Sequence, residues 1–411
     1  MVLSKSLTFL LIPVLALLLQ SARASPRPRA SPSAATLKLT LRINSVETSD
    51  TTIAARARAR ALLQRSGSSS ISASNYVGAY HSADVGVGNP PTYYTLLVDT
   101  GSSNTWIGAS KSYEKTNTSE DTGGQFEIGY GSSADPRIVS GEEYLDTVTL
   151  NSDLIIEKQS IGVAKDGSTS GLPPSFDGLF GLGPIDLTVG IVSNAFVVPT
   201  VMDNLFAQNT ISSEALGVFF SPASSSDTTG ELTFGGYDAS KITGDVNYVP
   251  TTTTYPANTF WGIDQSISYG DTTILSETAG IVDSGTPTIL IASDAFETYQ
   301  SATGGTIDEA TDMLTITSDQ YAKLSSLYFN IGGASHELTP NAQIWPRSLN
   351  TNIGGTADAI YLIVGDIGSN SGSGLDFVNG HCFLERFYSV FDTTNSRVGF
   401  ATTEYTDATS N

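Results

Sequence analysis

Leu96-Leu97-Val98-Asp99-Thr100-Gly101-Ser102-Ser103 and Gly280-Ile281-Val282-Asp283-Ser284-Gly285-Thr286-Pro287 decide how this chain is read. Both run apolar, apolar, Asp, Ser/Thr, Gly, Ser/Thr, and their aspartates lie 184 positions apart. In each, an apolar strand delivers one carboxylate at its end, and the glycine lets the backbone turn tightly beside it. Hydroxyls on either side of the glycine can hydrogen-bond the carboxylate or the opposite copy. One motif per half of the chain predicts two related lobes rather than a solenoid. It also lets Asp99 and Asp283 meet at the boundary between them. Two carboxylates about 3 Å apart cannot both ionise, so such a pair shares a proton and titrates as a unit. One charged and one neutral carboxyl can together activate a water and protonate a carbonyl oxygen, without a metal or cofactor.

Working outward, further features echo in order. Phe176-Asp177-Gly178-Leu179-Phe180-Gly181-Leu182-Gly183 follows the first motif, and Phe377-Val378-Asn379-Gly380-His381-Cys382-Phe383 follows the second. From Val85 on, runs rich in Val, Ile, Thr, Tyr and Phe are broken every eight to twelve residues by Gly, Asn, Asp, Ser and Pro, a pattern that predicts an all-β chain. Short helices are expected near Val201–Gln208 and Ser293–Ala302, the second capped by Ser293.

The 411 residues carry 20 Lys+Arg against 41 Asp+Glu, a net charge of −21. The charge is unevenly placed. Residues 1–65 hold ten basic and two acidic residues, +8; residues 66–411 hold ten and 39, −29. So acidic a body repels phosphate backbones and anionic membranes, and nucleic acid and membrane are not expected partners. Lys5, the apolar run Leu7–Leu19 and Ala22-Arg23-Ala24 read as a secretory signal over residues 1–24. Residues 25–72, basic and then Ser/Gly-rich, are expected to be a removable pro-segment, a basic plug on an acidic body. Within it Leu37–Ile43 alternates apolar and polar like a strand, and Thr51–Gln64 suits a helix. The lobes are then residues 73–260, with Asp99, and 261–411, with Asp283. Cys382 stands alone, so no intrachain disulfide or thiolate metal cluster can form.

Leu97–Trp106 (LVDTGSSNTW), Ile281–Thr288 (IVDSGTPT), Phe176–Gly183 and Phe383–Gly399 together resemble the pepsin-like aspartic proteases over residues 85–400. The phrases DNLFAQ, GELTFGG, WGIDQSI, NAQIWPR and FLERFYSVFDTTN resemble a disulfide-free basidiomycete branch of that family. The resemblance implies an all-β, bilobal fold with the active site in the cleft. It implies a secreted, zymogen-derived acid endopeptidase that binds extended peptides and pepstatin-type inhibitors as a monomer, with preference for bulky apolar residues beside the cut bond. Asp99 and Asp283 would be the catalytic pair. Thr100 and Ser284 would brace the two loops across the lobes, Gly101 and Gly285 would support the turns, and Ser102 and Thr286 would bond the outer carboxylate oxygens. Tyr130-Gly131-Ser132 would be the tip of a hairpin flap, with Tyr130 accepting from the indole of Trp106. Leu97, Phe176 and Leu179 would line the main specificity pocket.

Some positions depart from the family pattern. Pro287 offers no N–H to a substrate. Asn379 occupies an apolar place and is expected to loosen the support beneath Asp283. The flap's return arm, residues 133–140, is expected to be longer than the family's usual one by about four residues. Ser132 argues against a Lys/Arg preference. Other chemistries fit poorly. There is no G-x-S-x-G, His336-Glu337-Leu338-Thr339-Pro340 lacks a second zinc-binding His, and His81, His336 and His381 are scattered. A glycosidase needs more widely spaced carboxylates. A binding module that has lost catalysis is disfavoured by the intact aspartates and flanking hydroxyls. Asn117-Thr118-Ser119 is a glycosylation sequon.

Overall fold

The computed structural model describes residues 34–44, 55, 56, 58, 59, 78–132, 135–165, 172–225 and 229–411, with backbone alone at 130–132 and 135–137. The signal peptide expected over residues 1–24 and most of residues 25–72 lie outside the described residues. The first part of the chain forms β1 (Ala35–Asn44), β2 (Gly78–Val87), β3 (Thr92–Asp99), β4 (Trp106–Ile107), β5 (Glu120–Ser132), β6 (Asp135–Thr149), β7 (Ile155–Ala164), β8 (Gly178–Gly181), β9 (Ala215–Phe220), β10 (Thr229–Phe234) and β11 (Asn247–Pro250). After these come β12 (Gly262–Tyr269), β13 (Thr272–Val282), β14 (Ile289–Ile291), β15 (Thr306–Ile307), β16 (Leu314–Ile316), β17 (Leu327–Ile331) and β18 (Ala334–Leu338). The last five are β19 (Ile360–Leu362), β20 (Val364–Asp366), β21 (Phe377–Asn379), β22 (Phe387–Asp392) and β23 (Arg397–Thr402).

Among the described residues these strands make three sheets. One has thirteen strands in the order β11-β23-β22-β9-β10-β1-β2-β3-β8-β4-β7-β6-β5; one has seven, β18-β17-β12-β13-β21-β14-β20; β15, β16 and β19 form a small third sheet. The fold is bilobal and mostly strand, and the C-terminal β22 and β23 cross into the large sheet.

The repeat is visible in the pairing. β3 runs parallel to β8, with Asp99 opposite Gly181. β13 runs parallel to β21, with Val282 opposite Asn379. Both strands are covered on their two faces where they approach the aspartate, so their sequences there are continuous apolar runs rather than alternations. β1 behaves as a half-buried strand should: Leu37, Leu39 and Leu41 point inward while Thr36, Lys38 and Thr40 point out. The alternation slips at Ile43, which is exposed.

Helix Val201–Ala207 starts with a capping box between Thr200 and Asp203. Helix Ser293–Thr303 begins differently from expectation. Ala292 holds the cap position with no side-chain bond, because the Ser293 hydroxyl instead donates to Asp366 at 2.6 Å. Gly304 closes this helix in the left-handed region, at φ 69°.

Candidate active site

The two motif loops meet as near mirror copies. Asp99 and Asp283 are fully buried. The backbone N–H of Gly101 donates to Asp99 Oδ1, and that of Gly285 to Asp283 Oδ1, both at 2.9 Å. Ser102 Oγ donates to Asp99 Oδ2 at 2.6 Å, and Thr286 Oγ1 to Asp283 Oδ2 at 2.7 Å. The brace between lobes is reciprocal. Thr100 N donates to Ser284 Oγ (3.0 Å), and Ser284 N to Thr100 Oγ1 (2.9 Å). Each hydroxyl then donates onward, Thr100 to the carbonyl of Val282 (3.2 Å) and Ser284 to that of Val98 (3.0 Å). Every polar group of the four-residue brace therefore has a partner, which burial demands.

Gly101 and Gly285 serve a purpose other than a turn conformation, since neither has a positive φ. A Cβ on Gly101 would lie 2.3 Å from Asp283 Oδ1, and one on Gly285 would lie 2.5 Å from Asp99 Oδ1. Each glycine makes room for the opposite carboxylate.

A further residue of the site is one that the sequence marks only by its charge. Arg58 lies between the two aspartates. Its Nη2 donates to Asp99 Oδ1 at 2.7 Å and to Asp283 Oδ1 at 3.0 Å, and its Nε donates to Asp283 Oδ2 at 2.7 Å. Arg58 itself is buried. Two residues earlier, Arg56 donates to the Asp366 carbonyl (2.9 Å) and pairs with Asp312 (3.3 Å). Ala55 and Ala59, also buried, pack in one apolar cluster with Leu97, Trp106, Phe126, Phe176 and Leu179. The only sequence signal for Arg58 was the Arg56-Ala57-Arg58-Ala59-Arg60 alternation, which does not say which arginine points inward.

The electrostatics are asymmetric. Burial, with the neighbouring charge of Asp283, holds the Asp99 carboxyl above its ordinary range, while Arg58 pulls the other way. Burial acts on Asp283 too. There the Arg58 charge and hydrogen bonds from Arg58, Thr286 and Gly285 outweigh it, and the carboxyl sits below its ordinary range.

The remaining predicted positions fall as follows. Leu97, Phe176 and Leu179 are fully buried together, along with Trp106. β5 and β6 form a hairpin whose register brings Tyr130 opposite Arg137, Gly131 opposite Pro136 and Ser132 opposite Asp135. Tyr130-Gly131-Ser132 thus ends the outgoing arm, and residues 125–132 pair one for one with 135–142. The expected Tyr130–Trp106 bond lies outside the described side chains. Asn117 is exposed in a turn. Asn379 does not loosen the loop beneath Asp283. Its amide is satisfied by Gln265, with Nδ2 donating to Gln265 Oε1 (2.8 Å) and Gln265 Nε2 donating back (3.1 Å). His81 and His381, 300 positions apart, meet ring to ring with Nδ1 and Nε2 2.9 Å apart. Cys382 is buried, and burial pushes its thiol well up, so it is no nucleophile. Among the described residues no group of His, Cys, Asp and Glu is arranged to hold a metal, and no helix is long and apolar enough to cross a membrane.

Two strand-end aspartates, each bonded by the glycine N–H and the hydroxyl of its own loop and braced across a bilobal β fold, have the arrangement of an aspartic protease site. The chain belongs to the pepsin-like family: a profile described as "Eukaryotic aspartyl protease" matches residues 79–403. It is 57% identical to polyporopepsin of Irpex lacteus over 333 residues, 80% of this chain and 95% of that one. Cathepsin E of Rattus norvegicus is 30% identical over 352 residues, covering 80% of this chain and 81% of the other. Cathepsin E-B of Xenopus laevis is 29% identical over 354 residues, 80% of each. The crystal structure of the aspartic proteinase from Irpex lacteus superposes with a TM-score of 0.75, covering 81% of this chain and 96% of that one.

Proposed function

We propose that this aspartic endopeptidase is secreted as a precursor and works at acid pH, with Asp99 and Asp283 as its catalytic pair. The observation that carries the reading is the single buried guanidinium of Arg58, bonded to both carboxylates at once. A cation there occupies the position where a substrate carbonyl and its attacking water must sit. Residues 25–72 are then a pro-segment, and their removal opens the site. At low pH the acidic body protonates, the attraction between it and the basic segment weakens, and the chain cleaves itself between roughly residues 60 and 75.

With Arg58 gone, the two carboxyls share one proton, as is established for dyads of this class. The ionised carboxylate takes a proton from a bound water, whose oxygen attacks the scissile carbonyl carbon. The protonated carboxyl gives its proton to the carbonyl oxygen. Collapse of the resulting gem-diol breaks the C–N bond as the carboxyl that took the water's proton passes it to the amide nitrogen and the other carboxylate takes the proton of a gem-diol hydroxyl. No covalent intermediate forms. Ser102 and Thr286 hold the outer oxygens, so the pair's geometry survives each proton transfer. The substrate lies extended beneath the β5–β6 hairpin, hydrogen-bonded like an added strand. Leu97, Phe176 and Leu179, which share one apolar cluster with Ala55 and Ala59, supply the preference for bulky apolar side chains. Ser132 gives no anchor for Lys or Arg. The enzyme acts as a monomer, and Asn117, exposed, is its glycosylation site.

Casein clotting at about pH 4, where a shared proton persists on such a dyad, tests this with and without pepstatin. Pepstatin is expected to abolish clotting, and Asp99→Asn to block both clotting and self-processing. Clotting indifferent to pepstatin, or an Asp99→Asn chain that matures unaided, refutes it.

A further inference from the structure

Gln265 and Asn379 are fully buried, yet they sit within the largest apolar cluster of the molecule. On β12, Gln265 stands between Ile263 and Ile267; on β21, Asn379 follows Phe377; all three neighbours belong to that cluster. β13, which ends just before Asp283, runs between the two strands. The two amides therefore clasp each other across the strand that delivers the aspartate.

The pseudo-repeat supplies its own comparison. In the second lobe Gln265 pairs with Thr278, five residues before Asp283, and Asn379 pairs with Val282, one residue before it. In the first lobe the residue paired with Tyr94, five before Asp99, is Val85; the residue paired with Val98, one before it, is Phe180. Val85 and Phe180 are fully buried members of the apolar cluster. The same two places are thus apolar beneath Asp99 and a reciprocal amide pair beneath Asp283.

An apolar contact fixes distance loosely, whereas two hydrogen bonds running in opposite directions fix distance and orientation together. Buried amides are costly unless paired, so partial movement of either strand is penalised steeply. The backbone of Asn379 carries this constraint to the site: its carbonyl accepts the N–H of Asp283 at 3.1 Å.

We propose that Gln265 and Asn379 are positioning residues for Asp283, an amide clasp that sets the height of this aspartate relative to Asp99 and so the acidity of the pair. The inference rests on the proposed catalytic role of Asp283. An Asp283→Asn enzyme separates the two: activity in that variant refutes the dyad, whereas an inactive Asp283→Asn enzyme beside a fully active Gln265→Leu/Asn379→Leu enzyme refutes the clasp alone.

The experiment uses the full-length chain after acid maturation and compares kcat, KM and the pH profile of kcat/KM on one peptide. Gln265→Leu with Asn379→Leu replaces the clasp by an apolar contact, the character that Val85 and Phe180 give the same places in the first lobe. The expected result is an unchanged KM, a kcat reduced about 10- to 100-fold, as small misplacements of reacting groups produce, and a displaced acidic limb of the profile. The exchanged pair, Gln265→Asn with Asn379→Gln, keeps both hydrogen bonds and the summed side-chain length, and is expected to restore kcat and the profile. A double-leucine enzyme with wild-type kcat and pH profile overturns the proposal. Should that variant not fold, the exchanged pair decides. Wild-type kcat supports the clasp, and a kcat as low as that of Asn379→Leu alone refutes it.

Discussion

Glu143 offers a test of how the fold is tuned to pH. Its side chain is buried on β6 and accepts a hydrogen bond from Ser160. Burial pushes its carboxyl up from 4.5 to about 7, against the pull of that hydrogen bond. Below about pH 4.5 the folded and unfolded chains both hold this proton, so its contribution to stability is complete. As the pH rises, the unfolded chain ionises first while the folded one does not. Stability then falls by about 1.4 kcal/mol per pH unit until the folded group also ionises. A rise of about 2.5 units converts to a loss of about 3 kcal/mol between pH 4.5 and pH 7. Glu143→Gln keeps the size and an oxygen for Ser160 but cannot ionise. In an Asp99→Asn background, which is not expected to digest itself, urea unfolding of the two forms at pH 4.5 and 7.5 measures the difference. The glutamine form should gain about 3 kcal/mol on the parent over that interval. A stability difference that is the same at both pH values refutes the assignment.

Two further outcomes follow from the site. Arg58→Met in the full-length chain removes a buried cation from between two carboxylates, an interaction of about 3–5 kcal/mol. The unprocessed chain should then cleave a short fluorogenic peptide at about pH 6 at least tenfold faster than the parent, which initial rates before any processing will show. Ser284→Ala leaves the N–H of Thr100 and the carbonyl of Val98 buried without partners. It should cost about 2–6 kcal/mol in urea unfolding, at about 1–3 kcal/mol per orphaned group, together with a fall in kcat.

What could be read from the sequence was whatever adjacent residues settle among themselves. Asp99-Thr100-Gly101-Ser102 and its copy fix a strand end, a turn and two hydroxyls within four residues, and their repetition fixes the partner. The same holds for β1, whose alternation Leu37, Leu39, Leu41 is a local pattern. What escaped depends on distant partners. Asn379 looked like a weak point because its mate is 114 positions away on β12. His81 and His381 are scattered in sequence, and only the tertiary fold sets the short helix His381–Leu384 against β2. Ser293 looked like a cap until Asp366 claimed its hydroxyl. The two glycines suggest turn formers by sequence, whereas the fold needs them for the space of an opposing carboxylate. Arg58 was one basic residue among ten, and nothing local marks the one that faces the aspartates.

β1 is not an edge. It is paired through six positions with β10 on one side and through five with β2 on the other. If the proposed self-cleavage falls after residue 60, it severs the covalent tether of β1 without touching either ladder. The nicked product is therefore a two-chain complex, with a peptide docked as an interior strand, and its departure requires both flanks to unzip together. Proteolysis and release are separate events with separate rates. A freshly cut molecule can be fully processed by gel and still hold the peptide, and dilution, rather than further cutting, is what drives the last step.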